Sequence, residues 1–181
     1  MHWIKSLISR RPSAEREAAA KLHAAINVEA RRADLFGGEK IPDTLDGRAA
    51  AIALFHGVVS STLVAAGPQG RKTAEHLASD IFDSFDAALR ETGVGDASIA
   101  RKIRKLGEHF TGLGIAVTQA LSATNQHAAL QHVLVRNEVC TAQGAGFVAE
   151  RLIDAHSRLA KQTDSVLLSG QTGWPSQQNA G

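Results

Sequence analysis

Apolar side chains return along this chain every three or four residues, and no stretch of useful length alternates apolar with polar. That period is helical, so the pattern predicts an all-α fold. The clearest case is Ile99, Ile103, Leu106, Phe110, Leu113 and Val117, in a helix expected over about 97–123. Leu77, Ile81, Phe85 and Leu89 recur every fourth residue in a helix expected over about 71–92, with Ala74, Ala78 and Ala88 widening the stripe. Leu22 and Ile26 share a face of a first helix over about 13–33, with Pro12 and Ser13 at its start and Glu15 and Glu17 in its first turn. Further helices are expected over about 43–66, 125–140 and 147–168. The predicted architecture is a single-domain bundle of about six helices over residues 13–168. Residues 1–12 precede it as an amphipathic basic segment, and 169–181 follow as a flexible tail.

The second helix changes the picture most. Ala49 to Ala66 holds no charged residue, which is near the lower length limit for a membrane span. Its Ala, Ser, Thr and Gly content, with His56 and Gly57 mid-way, instead predicts the central helix of a bundle, apolar on all sides. Asp43 and Asp46 are placed to satisfy amides or favour the positive end at its start, and Gly67-Pro68 ends it. Gly107, Gly112 and Gly114 in the fourth helix predict either a close helix contact or a bend.

Composition agrees with helices. Aromatics are 4% of the 181 residues, and Ala, the best helix former, supplies much of the apolar content. Twenty basic residues against 18 acidic ones are too balanced for general nucleic-acid binding, so no DNA partner is expected. The single cysteine, Cys140, excludes an intrachain disulfide framework and a cysteine-based zinc site. Near the start, Lys5 interrupts the apolar run and Arg10 and Arg11 follow it, unlike a secretory signal. The expected location is cytoplasmic, with contact to the inner membrane through Trp3, Ile4, Lys5, Leu7, Ile8, Arg10 and Arg11 as a candidate.

No catalytic constellation emerges. Gly67 to Thr73 lacks the Gly before Lys72 and the preceding strand that a phosphate loop needs. Asp80, Asp83 and Asp86 read as solvated charge. His56, among apolar neighbours, is a candidate haem or small-molecule ligand, set against a structural histidine with a hydrogen-bond partner. Cys140 reads as a packing residue rather than a nucleophile. Neither cofactor nor metal is expected. Arg101, Lys102, Arg104 and Lys105 are more informative. They lie off the apolar stripe, repel one another, and sit at the helix end whose dipole favours acids. They are candidates for contact with a negative surface.

Three blocks carry a resemblance. Ile41-Pro-Asp-Thr-Leu-Asp-Gly-Arg48 is similar to the segment that opens the domain of the ubiquinol–cytochrome c chaperones. Asp80 to Asp96 resembles that family's next block, and Ala100 to Gly112 its basic helix, in the same order and spacing. The matching motif positions are Pro42, Asp43, Asp46, Gly47, Arg48, Gly93, Gly95, Asp96, Lys102 and Lys105. Thr111 stands where the family usually has an aromatic residue. The resemblance implies an all-helical, non-catalytic assembly factor of the respiratory ubiquinol–cytochrome c reductase. It also implies binding of cytochrome b, or another membrane-protein client, and contact with the ribosome.

Overall fold

The structure, a computed structural model, describes residues 12–91 and 96–175, excluding the side chains of residues 91, 96–100 and 102. Within them lie seven α-helices and one 3-10 turn. The all-α bundle expected from the periodicity is what forms. Trp3, Ile4, Lys5, Leu7, Ile8, Arg10, Arg11, Gly93 and Gly95 lie outside the described residues, as does the side chain of Lys102. Asp96 is described only as the first residue of its helix.

Helix α1 spans Ala14–Glu29, and Ser13 caps it by accepting the Arg16 amide. It ends four residues before the expected Ala33. The amides of Arg31 and Arg32 reach back only three residues, which tightens the chain into the turn Ala33–Leu35 and delivers Leu35 into the core. Helix α2 spans Leu45–Ala65. Thr44 is its cap, accepting the Gly47 amide at 3.1 Å. Asp43 instead holds Arg48, with Nε 2.7 Å from Oδ1.

Helix α2 is long and apolar enough to cross a membrane, but here it is the central helix, packed against α1, α3, α4 and α6. Burial of most of its length between Ala49 and Leu63 explains its lack of a polar face there, while its two ends are exposed at Leu45 and Val64. Gly67, at φ +87°, ends it, and α3 follows at once over Gly67–Glu91. The expected start at Arg71 was four residues late, because Pro68 sits in the first turn, where no amide donor is required. Leu77, Ile81, Phe85 and Leu89 are all buried, as the stripe predicts.

Helix α4 spans Asp96–Leu121 and makes its most extensive contact with α2. At their crossing, a Cβ on Gly57 would stand 2.9 Å from the Gly114 carbonyl oxygen and from Val117 Cβ. The Thr118 hydroxyl, 3.3 Å from the Gly57 carbonyl, adds a hydrogen bond across the contact. Of the two readings of the α4 glycines, close helix contact holds at Gly114. Gly112 faces no neighbour within 4 Å.

Helix α5 spans Gln126–Arg136, stopping short of Cys140, and α6 spans Ala142–Ala160, starting before the expected Phe147. The early start follows from Thr141, which caps α6 and also donates to the Glu39 carbonyl. Gly144 lets the helix meet that backbone directly. Helix α7 spans Asp164–Leu167. Residues 169–175, expected within a tail, lie against the bundle. Trp174 Nε1 donates to the Ala155 carbonyl at 3.0 Å, and its ring meets Phe55 edge to face at 5.7 Å.

Candidate functional site

A groove of about 1020 Å³ opens between α1, α2, α3 and α4 and is also lined by the turn between α5 and α6. The three sequence blocks meet there. The first supplies Pro42, Asp46, Gly47 and Arg48, the second Ile81, Phe85 and Leu89, and the third Lys105, Leu106 and His109. Each arrives for a local reason. Pro42 and Thr44 shape the entry to α2. A Cβ on Gly47 would collide with the Pro42 carbonyl, so only glycine lets the chain fold back so tightly. The α3 stripe turns Ile81, Phe85 and Leu89 to one side, every fourth residue.

The groove floor is apolar, formed by Ile52, Ile81, Phe85, Ala88, Leu89 and Leu106. Outside the lining, Phe110 meets Phe85 and Phe82 edge to face at 5.8 and 5.1 Å, tying α3 to α4. Polar and charged groups line the rest. The Arg48 guanidinium, fixed by Asp43, lies 5.4 Å from the Phe36 ring centroid. Burial lowers the pKa of His23, favouring its neutral form. Arg31, Arg48 and Lys105 share its walls with Asp46 and Glu138, so a cavity with this apolar floor and mixed charge around it suits a mainly apolar segment.

The basic cluster divides. Arg101, Arg104 and Lys105 are exposed, and none is ion-paired with a described residue. Lys105 also lines the groove. His56 is not in the groove. It is buried at the α2–α4 crossing, 4.7 Å from the Phe110 ring, with Nε2 3.2 Å from the Ser60 hydroxyl and no partner on Nδ1. Burial pushes its pKa down to about 4, so it is neutral near pH 7. Cys140 is buried and its thiol pKa is raised, which disfavours the nucleophilic thiolate. Among the described residues, no three His, Cys, Asp or Glu side chains are grouped to hold a metal. Asp86 is paired with Arg90 at 2.7 Å, and Asp83 is exposed.

Two parts of the groove escaped sequence reasoning. His23 and Asn27 reach it from α1 and Arg31 from the turn just after, and Asn137, Glu138 and Val139 from the α5–α6 turn. The first three stand at i, i+4 and i+8, a polar line beside the Leu22–Ile26 stripe that the spacing could have revealed. The turn has no such signal.

Comparison with known proteins follows the same blocks. A family model described as ubiquinol–cytochrome C chaperone matches residues 39–174. The crystal structure of the Cbp3 homolog from Brucella abortus superposes with a TM-score of 0.77 at 23% identity, covering 97% of this chain and 98% of that one. At that identity the match speaks for the fold. No curated protein matches.

Proposed function

Since this chain belongs to the ubiquinol–cytochrome c chaperone family, we propose that it assists assembly of ubiquinol–cytochrome c reductase by holding apolar segments of cytochrome b in the groove. A chaperone role is the family's. The choice of client and of surface is our reading. The observation that carries it is the convergence of all three blocks on one cavity with an apolar floor. Holding needs no chemistry: the groove shields apolar side chains from water until the client finds its own partners.

The exposed Arg101, Arg104 and Lys105 support docking of this face onto a negative surface, whether membrane headgroups at the inner membrane or a ribosome carrying the nascent client. The test places a photo-crosslinking residue at Leu106 in the groove and, as a control, at exposed Lys161. Crosslinks to cytochrome b from Leu106 but not from Lys161 are expected. Equal labelling at both sites, or none at Leu106, would refute the groove as the client site. Changing Arg101, Arg104 and Lys105 to Glu tests docking separately, and normal assembly of the complex in that variant would rule it out.

A further inference from the structure

A second cavity, of about 90 Å³, shares no lining residue with the groove. Its walls are Glu29 at the end of α1, Arg32, the α6 residues Arg151, Asp154 and Arg158, and Trp174 with Pro175. By the roughly 30 Å³ that a liquid water occupies, it has room for a few waters or one tetrahedral oxyanion.

Its polar groups are not matched to one another. Glu29 is only 6% exposed, yet its Oε1 accepts no hydrogen bond. The nearest cation, Arg32 Nη1, is 3.8 Å away, beyond hydrogen-bonding range. Leaving a buried carboxylate oxygen without a donor is costly. The arginines, in contrast, have donors to spare. Arg32 and Arg151 each reach Asp34 at 3.4 Å, and Arg158 reaches Asp154 at 2.8 Å, while each guanidinium carries five N–H groups. Three lining cations face two lining anions, Glu29 and Asp154, while Asp34, outside the lining, pairs with Arg32 and Arg151.

A fitting ligand therefore brings several acceptors for the guanidinium groups and one donor for Glu29. Hydrogen phosphate is such an ion. We propose that this cavity binds free hydrogen phosphate, with its P–O–H donating to Glu29 Oε1 and its other oxygens accepting from Arg32, Arg151 and Arg158. Burial raises the Glu29 pKa, so the discrimination applies at mildly alkaline pH, where Glu29 is ionised: sulfate has nearly the same shape but no proton to donate, and Glu29 repels it. A phosphate monoester, such as a lipid headgroup or glycerol 3-phosphate, is nearly fully ionised above about pH 7 and is excluded for the same reason.

Trp174 forms one wall and serves as the reporter, since the chain has two tryptophans and Trp3→Phe leaves it alone. The full-length variant is titrated with phosphate at constant ionic strength and mildly alkaline pH. A saturable change in Trp174 fluorescence is expected, with none for sulfate or glycerol 3-phosphate. Arg158→Gln should weaken phosphate about tenfold. Glu29→Gln, whose amide can donate, should let sulfate bind, and circular dichroism checks that both variants fold. A phosphate-dependent rise in melting temperature of the unmodified protein gives a second readout. Absence of any saturable response would overturn the site. Equal binding of sulfate or glycerol 3-phosphate by the unmodified protein would overturn the Glu29 contact.

Discussion

Removing the Trp174 side chain tests whether residues 169–175 are part of the folded unit. The ring is half-buried, meets Phe55 edge to face at 5.7 Å, and donates one hydrogen bond to the Ala155 carbonyl. A fully buried Trp→Ala change costs about 3–5 kcal/mol. Partial exposure lowers the packing share, and the hydrogen bond and the aromatic pair each contribute about 1 kcal/mol. Trp174→Ala should therefore cost about 2–3 kcal/mol. In urea that lowers the midpoint by about 1 M at unchanged slope, for a slope of roughly 2–3 kcal/mol/M. Trp174→Phe keeps most of the packing and loses the hydrogen bond, so it should cost about 1 kcal/mol. A midpoint within error of the unmodified protein for Trp174→Ala would mean that this segment contributes nothing to the fold in solution.

Two further outcomes follow from buried contacts. An unfolded histidine takes up its proton near pH 6.5, while folded His56 stays neutral down to about pH 4. Stability should accordingly fall by about 3 kcal/mol as the pH drops through that window, on top of other titrations, and be unaffected above it. Urea midpoints of the unmodified protein and His56→Leu, compared from pH 7.5 to 4, should diverge, with the variant losing less; parallel curves would disprove this origin. Gly47→Ala forces a methyl group against the Pro42 carbonyl and should lower the melting temperature through a loss of about 2 kcal/mol, whereas unchanged melting would show that the turn can relax.

Legibility tracked how local each cause is. The α3 stripe needs only its own period, and all four of its residues are buried as expected. The start of α6 was hidden because Gly144 looks like a breaker until Glu39, more than a hundred residues away in sequence, comes to lie against it. Trp174 was hidden for a related reason. It is a single aromatic in a stretch of Gly, Ser and Gln, and its receptor site is assembled from Phe55 and Ala155 only after folding. In the groove, the blocks carrying Pro42 to Arg48 and Lys105 to His109 could be picked out individually. Their convergence could not be, because it depends on the path of α2 across α4.

That path yields a prediction linking the core to the groove. Helices α2 and α4 run in the same direction: Ala53 lies near Gly114, and Gly57 bonds to Thr118 further along. Their tight contact at Gly57 and Gly114 is about 8 Å along α4 from His109 on the groove wall, at 1.5 Å per residue. A Cβ on Gly57 would meet a backbone oxygen at 2.9 Å, a contact that no rotamer change relieves. Gly57→Ala should therefore push α2 and α4 apart at this crossing, at a cost of about 1–3 kcal/mol. Displacement of α4 carries Lys105, Leu106 and His109 with it, so crosslinking of client from Leu106 should drop. Trp174→Phe supplies the control, since its expected cost overlaps that range and its side chain lies outside the groove. If the two variants lose crosslinking equally, the effect is one of stability alone. If only Gly57→Ala loses it, the α2–α4 spacing sets the shape of the client site.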